Sequence, residues 1–301
     1  MNILITGAWG NAEEHIAEIE ALGHKVVFLQ NEKSDIPCPC EYIEGIIGNG
    51  IFLNHSIDKF SNLKYIQLTS AGFDRLPVEE VERRGIRWHT ARGVYSLPMA
   101  EFALSGVLQL YKQTRFFIKN QAAHIWQKHR GLLELSGKTV CILGCGSVGT
   151  ECAIRFAAFG CRVLGIDLAP VQASGFSSVL PLSALYETLP HCDIVVLTLP
   201  LTPQTEGMFG EAAFAAMQPG AVLVNLSRGR IVEEAALLPA LQTRLLGAVL
   251  DVFEEEPLPP EHPFWDIPNL LLSPHNAFVG EGNPSRLWNL ILKNLECAEN
   301  L

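Results

Sequence analysis

The chain has 301 residues, a formal net charge of -10 at pH 7 and eight cysteines, so it is long enough for two domains with separate cores. The acidic balance and the lack of any basic run argue against nucleic-acid binding. The cysteines lack zinc-ligand spacing, since Cys38-Pro39-Cys40 has no second cysteine or histidine pair beside it, and no metal site is predicted. The N-terminus has no signal-peptide pattern and no apolar run reaches the roughly 18 residues that span a membrane, so we expect a cytoplasmic protein without a membrane partner.

Short apolar runs alternate with turns and helical spacing in the first third of the chain. Strands are predicted at Asn2–Thr6, Lys25–Leu29, Glu44–Gly48, Leu63–Leu68 and Ile86–His89, and helices at Ala12–Leu22 and Val78–Arg84. This alternation indicates a parallel sheet with helices on both faces. The segment Thr6–Asn11 follows the first strand as a nucleotide loop would, but the next strand runs into Gln30 and Asn31 without an acid. We therefore interpret the segment as a strand-to-helix turn.

A long apolar helix is predicted from Pro98 to Ile118, because proline is tolerated in a first helical turn. Apolar residues occupy more of the surface of this helix than packing against one sheet requires. Two interpretations stay open: burial of one face against a second subunit, or a position between two domains. The segment Lys119–Ser136 that follows is predicted to be a less regular connection.

The most specific pattern in the chain is a glycine-rich turn between a strand and a helix. An apolar strand at Thr139–Leu143 leads into Gly144, Gly146 and Gly149, which have the spacing G-x-G-x-x-G. The first glycine permits a tight turn, the second lets backbone N–H groups approach a pyrophosphate, and the third lets the helix pack closely on the sheet. The pattern predicts a dinucleotide site.

An acidic residue completes this pattern at the end of the next strand, Arg162–Ile166. Asp167 lies about twenty residues beyond the glycines, where a carboxylate can accept hydrogen bonds from an adenosine ribose. The residues that follow are Leu168, Ala169 and Pro170, none of which is basic. The 2′-phosphate of NADP would therefore lie beside the Asp167 carboxylate without a cation to bind it. The sequence therefore favours NAD over NADP.

Strand and helix patterns resume after this point. Strands are predicted at Asp193–Leu197, Ala221–Asn225, Leu246–Leu250 and Leu270–Leu272, and helices at Ile231–Leu241 and Pro284–Asn300.

Three charged or titratable residues follow strand ends, where open parallel sheets bind ligands. Each has an ordinary interpretation: Arg228 as a surface residue in a turn, Glu256 as one of three solvated glutamates, and His275 as a capped loop histidine. Together they match what hydride transfer to a 2-oxo acid requires. The arginine would bind the carboxylate, the histidine would donate a proton to the carbonyl, and the glutamate would hold the histidine.

Several ordered motifs resemble the D-isomer-specific 2-hydroxyacid dehydrogenase family, and together they cover essentially the whole chain. They are Ser70–Asp74, Gly93–Leu104, Ser227–Leu237, Leu250–Leu258 and Ser273–Ala277. The resemblance implies an α/β fold with two Rossmann-like parallel-sheet domains. A flavodoxin-like substrate domain would comprise residues 1–96 and 276–301. An NAD-binding domain, residues 97–275, would be inserted into it, and hinge closure would exclude water from the hydride step.

The resemblance also implies roles for individual residues. Arg228 would orient the substrate, His275 would be the acid/base and Glu256 its partner, favouring the charged imidazole. The substrate would contact Ser70, Ala71, Gly72, Tyr95 and Arg228. The cofactor contacts would be Gly144, Gly146, Ser147, Val148, Gly149, Asp167, Leu199, Pro200, Leu226, Ser227 and Asp251.

Two departures from relatives bear on the substrate. Nothing follows Leu301, so we expect no regulatory extension of the kind many phosphoglycerate dehydrogenases carry, and the loop after Gly48 contains no Arg or Lys to hold a phosphate. We expect an NAD-dependent oxidoreductase, a homodimer through its nucleotide domains, acting on a small unphosphorylated 2-oxo acid such as glyoxylate, hydroxypyruvate or pyruvate. The alternative is an NAD(H)-sensing binding protein on the same scaffold, like the C-terminal-binding-protein corepressors.

Overall fold

A computed structural model of the chain describes residues 1–168 and 173–298. The chain divides into two compact units: the first comprises Met1–Tyr95 and Gly280–Leu301, and the second Ser96–Val279. The first boundary thus falls one residue before the predicted one. The second falls after Val279 rather than after residue 275.

The described residues form the following strands and α-helices, numbered along the chain. The strands are β1 (Asn2–Thr6), β2 (Lys25–Leu29), β3 (Gly45–Gly48), β4 (Tyr65–Leu68), β5 (Arg87–His89), β6 (Thr139–Leu143), β7 (Arg162–Asp167), β8 (Ser178–Pro181), β9 (Ile194–Leu197), β10 (Val222–Asn225), β11 (Gly247–Leu250) and β12 (Leu270–Leu272). The helices are α1 (Ile16–Ala21), α2 (Val78–Arg83), α3 (Ser96–Tyr111), α4 (Thr114–Ala122), α5 (Ser147–Ala158), α6 (Leu185–Thr188), α7 (Glu211–Ala216), α8 (Glu234–Thr243) and α9 (Asn283–Ala298).

The first unit is built on a parallel sheet in the order β2-β1-β3-β4-β5, which is the flavodoxin-like order that the resemblance implied. Alternate residues of β1 face opposite sides: Ile3 and Ile5 join one core and Leu4 the other. The first of these cores is closed by apolar residues of α9 such as Ile291, whereas the second includes Val81 of α2. Because both faces of this sheet are buried, its strands are continuous runs of apolar residues rather than alternating apolar and polar ones.

The second unit is built on a parallel sheet in the order β12-β11-β10-β9-β6-β7-β8. The order reverses between β6 and β9, which is the crevice where doubly wound sheets bind nucleotides. One face is covered by α3 and α5, and the other by residues of α7 and α8. The Rossmann-like architecture predicted from the sequence is therefore confirmed.

The cysteines of the second unit are buried free thiols: Cys141, Cys145, Cys152, Cys161 and Cys192. Burial, together with the nearby Asp167 carboxylate, raises the pKa of the Cys145 thiol to about 12. These side chains therefore pack as small apolar groups.

The predicted helix from Pro98 to Ile118 is wrong in its extent. The chain forms α3 and α4 instead, separated at Gln113, whose φ of 52° lies in the left-handed region. The apolar pattern of α3 ends at Tyr111, whose carbonyl accepts a hydrogen bond from the Leu133 N–H at 3.0 Å. Because α4 runs to Ala122, the predicted connection after Lys119 also begins as helix.

Other elements differ from the prediction in smaller ways. The helix predicted at Ala12–Leu22 begins as a 3₁₀ turn at Ala12–His15 before α1, and the sequence patterns did not indicate β8, α6 or α7. The segment Thr6–Asn11 is a turn, as predicted. The predicted C-terminal helix runs to Asn300, and its residues after Ala298 lie outside the described residues. Ala169 and Pro170 also lie outside them. No helix in the described ranges is long and apolar enough to cross a membrane.

Candidate active site

The turn from β6 to α5 brings the three glycines of the motif into a compact loop. Gly144 has a φ of 94°, and a Cβ at this position would lie 2.7 Å from the Leu199 backbone N. A Cβ at Gly149 would lie 2.0 Å from the Gly144 carbonyl oxygen. Both positions require glycine, because the strand end, the loop after β9 and the first turn of α5 are in direct contact.

Gly146 differs from the other two glycines because it faces open space. It is the N-cap of α5, and a Cβ built there would meet no described atom within 4 Å. The N–H groups of Ser147 and Val148 lie in the first turn of this helix, where intrahelical acceptors are lacking. The open N-terminus therefore fits the pyrophosphate of a dinucleotide.

Asp167 ends β7 and is tied to the glycine loop. Its Oδ2 accepts the Cys145 N–H at 2.7 Å, and its Oδ1 accepts the Leu168 N–H at 2.7 Å. Each carboxylate oxygen has two acceptor sites, so both oxygens can accept a further bond from ribose hydroxyls.

The loop after β10 is shaped by Asn225, which the sequence patterns did not single out. Its Oδ1 accepts the Ser227 hydroxyl at 2.8 Å and the Ser227 N–H at 3.1 Å, while its Nδ2 donates to the Arg228 carbonyl at 3.0 Å. The side chain is almost fully buried. It therefore fixes the backbone from which the Arg228 guanidinium projects.

Gly229 joins this loop to the one after β11. A Cβ at Gly229 would lie 1.9 Å from the Phe253 carbonyl carbon. Because the two backbones touch, the loop carrying Arg228 packs directly on the loop that leads to Glu256.

Glu256 and His275 are brought together as predicted. Oε2 of Glu256 lies 2.8 Å from Nδ1 of His275, and its Oε1 accepts the Phe253 N–H at 3.1 Å. The two side chains are 36% and 41% exposed, so the pair is open to a ligand. No described residue hydrogen-bonds Nε2 of the imidazole, which is the atom left to meet a substrate.

In the first unit, the turn after β4 carries the predicted substrate contacts. The Ser70 hydroxyl donates to the Gly72 carbonyl at 2.7 Å, and no described acceptor is bonded to the N–H of Ala71 or Gly72. The Tyr95 hydroxyl donates to the Thr69 carbonyl. Burial raises the pKa of Tyr95, so its hydroxyl stays protonated and supports the turn.

Comparison with known proteins identifies the family. Residues 104–277 match the family described as "D-isomer specific 2-hydroxyacid dehydrogenase, NAD binding domain". The chain belongs to the D-isomer specific 2-hydroxyacid dehydrogenases. It is therefore an NAD-dependent oxidoreductase, as predicted, and the glycine turn at Gly144–Gly149 lies within the matched NAD-binding domain.

Relatives and solved structures agree with this assignment. A glyoxylate reductase from Korarchaeum cryptofilum is 32% identical over 241 residues, which cover 77% of this chain and 72% of that protein. The D-3-phosphoglycerate dehydrogenase of Rattus norvegicus is 33% identical over 84% of this chain, but the match spans only 48% of that protein. The crystal structure of a family protein from Aeromonas salmonicida has a TM-score of 0.86 and 30% identity, covering 99% of this chain and 96% of that one.

In this D-2-hydroxyacid dehydrogenase, Asp251 has contacts that the sequence did not reveal. The side chain is buried, and its carboxylate accepts the Asn276 N–H at 2.7 Å, the Ala277 N–H at 3.0 Å and the Ser273 hydroxyl. Its own carbonyl accepts the His275 N–H at 2.8 Å. Asp251 therefore holds the loop that carries His275, in addition to the cofactor contact expected from the resemblance.

Proposed function

We propose that this dehydrogenase interconverts a small, unphosphorylated 2-oxo acid and the corresponding D-2-hydroxy acid, with His275 as the acid/base. The observation that carries the proposal is the 2.8 Å contact between Nδ1 of His275 and the Glu256 carboxylate. It holds the imidazole in one orientation, with Nε2 directed away from Glu256. NAD(H) supplies the hydride chemistry.

The proton moves through Nε2 of His275. In reduction, the imidazolium donates to the carbonyl oxygen, which would otherwise become an alkoxide, and in oxidation the neutral ring accepts the hydroxyl proton. The Glu256 carboxylate, bonded to Nδ1, stabilises the positive charge of the ring. The second bond of Glu256, to the Phe253 N–H, holds the carboxylate on the imidazole.

Arg228 is proposed to bind and orient the substrate carboxylate. A guanidinium presents paired N–H donors in a plane that matches a carboxylate, and it can also polarise the neighbouring carbonyl. The Asn225 contacts fix its backbone. In the first unit, the N–H groups of Ala71 and Gly72 are proposed to contact the substrate, with Ser70 and Tyr95 at that turn.

The cofactor contacts are proposed at the carboxyl ends of the second sheet. Backbone groups of Gly146, Ser147 and Val148 would bind the pyrophosphate and Asp167 the ribose. Residues that follow β9, β10 and β11 would line the nicotinamide half of the cofactor. They are Leu199, Pro200, Leu226, Ser227 and Asp251. These positions lie on both sides of the order reversal between β6 and β9, which supports the proposal.

Glyoxylate, hydroxypyruvate and pyruvate are the proposed substrate candidates. The glyoxylate reductase from Korarchaeum cryptofilum is among the similar proteins, and the loop after β3 supplies no cation for a phosphate. The free cysteines favour a reducing compartment, so we propose action in the cytoplasm.

A homodimer through the second unit is also proposed. Apolar side chains on α4 and the segment after it are exposed: Phe117 by 39%, Ile118 by 60%, Ile125 by 52% and Trp126 by 99%. Clustered apolar side chains of this kind mark interaction surfaces.

The decisive experiment is oxidation of NADH, followed at its absorbance band, with a panel of 2-oxo acids. Turnover of at least one of the three candidates, giving the D-product, is expected, and His275→Ala should abolish most of it. Tight NADH binding without turnover of any 2-oxo acid would favour the NAD(H)-sensing alternative, which the comparisons do not support.

A further inference from the structure

Glu32 occupies the carboxyl edge of the first unit's sheet with an unusual set of contacts. It lies just beyond β2, yet its carboxylate reaches the loop after β3, on the far side of β1. Oε1 accepts the Asn49 N–H at 2.8 Å and the Thr6 hydroxyl at 2.7 Å, and Oε2 accepts the Gly50 N–H at 2.7 Å. The Glu32 carbonyl is in turn hydrogen-bonded to the His55 ring at 3.0 Å.

These contacts fill an anion site. Successive backbone N–H groups that point to one spot form a concavity for anions, and here the N–H groups of Asn49 and Gly50 converge on one carboxylate. Gly48 permits the approach, since a Cβ there would lie 2.8 Å from Oε1 of Glu32. The chain therefore supplies its own anion where a phosphate or second carboxylate of a ligand would otherwise bind.

The filled site lies beside the turn proposed to bind the substrate. Strands β3 and β4 are neighbours, and the Thr69 N–H donates to the Gly48 carbonyl at 2.9 Å. Ser70, Ala71 and Gly72 follow directly. Arg75 also approaches the loop, because its Cδ would lie 3.6 Å from a Cβ at Gly50, but its side chain is exposed and therefore screened.

We infer that Glu32 is a specificity-determining residue that restricts the enzyme to 2-oxo acids with a single anionic group. The inference rests on the proposed function, because it uses the Ser70–Gly72 turn as a substrate contact. A second anionic group on the substrate could not bind the N–H groups of Asn49 and Gly50, because both already donate to Glu32. The negative charge of Glu32 would also repel it.

The test compares hydroxypyruvate with 3-phosphohydroxypyruvate, which differ only in the phosphate. The ratio of kcat/KM for hydroxypyruvate to that for its phosphate ester is measured in the unmodified protein and in Glu32→Gln. The ratio should fall by about tenfold in the variant, the order expected for one partly screened unit charge. Glu41→Gln removes a charge from an exposed position of the same unit, and should leave the ratio unchanged.

A second measurement does not depend on turnover. Isothermal titration with inorganic phosphate should show one more binding site in Glu32→Ala, in which both N–H groups are exposed, than in the unmodified protein. An unchanged selectivity ratio, or an equal loss of kcat/KM for both substrates, would overturn the inference, as would equal phosphate binding by both proteins. Absence of turnover of every 2-oxo acid by the unmodified protein would instead reject the proposed function, and the titration would still decide the role of Glu32.

Discussion

The charge of Glu256 can be removed with almost no change in the shape of the side chain. In Glu256→Gln the charged partner of His275 is lost, while NADH affinity should stay nearly unchanged because Glu256 follows β11 and the glycine loop follows β6, with two strands between them in the sheet. The reduction rate should fall by about tenfold, because a charge-assisted hydrogen bond to the ring is replaced by a weaker neutral one. The measurement is kcat, with chemistry shown to be rate-limiting by a deuterium isotope effect.

Matched variants make this test specific. Glu255→Gln removes a charge from the adjacent residue of the same loop and should leave kcat unchanged, whereas His275→Ala should lower the rate by roughly 10²–10⁴-fold. Glu254 is engaged elsewhere, since its Oε1 accepts the Glu234 N–H at 3.0 Å. An unchanged kcat in Glu256→Gln would remove Glu256 from the mechanism.

Asp251 gives a second prediction, about the position of the His275 loop. In Asp251→Asn one acceptor oxygen becomes an NH₂ group that faces buried donors, so at least one N–H of the loop loses its partner. The cost should be about 1–3 kcal/mol in the free energy of unfolding, and kcat should fall because His275 is no longer held in place. Denaturant unfolding and steady-state kinetics measure the two effects.

Asp266→Asn is the control for this variant, because Asp266 is exposed. It should change neither quantity. A variant Asp251→Asn with unaltered stability would contradict the assignment of Asp251 as the support of the loop.

At the scale of elements, two glycines in the turn between β6 and α5 allow the effect of a substitution on folding to be measured separately from its effect on cofactor binding. Gly149→Ala places a methyl group 2.0 Å from the Gly144 carbonyl oxygen and should destabilise the second unit. Gly146→Ala meets no described atom within 4 Å, so the protein should fold normally, but the methyl group should obstruct the pyrophosphate. Thermal unfolding and NADH fluorescence titration should therefore distinguish the two variants. If Gly146→Ala and the unmodified protein bound NADH with comparable affinity, the pyrophosphate would not lie beside Gly146.

The same elements show what the sequence could reveal. The glycine motif was recognised because all its parts are close in sequence and each has a local physical reason. The break at Gln113 was missed because a helical pattern of apolar residues crosses it, and the interruption depends on the Leu133 N–H arriving from a later segment. Strand β8 was missed because it is a short edge strand with no buried residue.

Long-range polar contacts were the other part of the site that the sequence could not provide. Asp251 is 25 residues from Asn276, and Glu32 is 17 residues from Asn49. Nothing in the pattern of either segment specifies such a pairing. By contrast, the order of Arg228, Glu256 and His275 after successive strands led to the expectation that they share a site, because strand ends of a parallel sheet share one edge; of the three, Glu256 and His275 are in contact.

At the scale of the whole molecule, the exposed apolar segment predicts the assembly state. Sedimentation at micromolar concentration should give twice the 33.1 kDa mass of the chain. Ile118→Glu should shift the equilibrium towards monomer, because a charge is costly at an apolar interface. Tyr186→Glu alters an exposed residue of α6 in the same unit and should not. A stable monomer for the unmodified protein would reject the dimer.

The packing of α9 on the first sheet has a consequence for synthesis on the ribosome. Ile3 and Ile5 are translated before the second unit, yet the residues of α9 that complete their core, Leu287, Ile291 and Leu295, emerge after it. The second unit lies between them in sequence and contains all of its own strands, so it can fold while the N-terminal sheet still exposes one apolar face. During translation that face is a natural site for a chaperone, and protection of Ile3 and Ile5 should be among the final steps of folding.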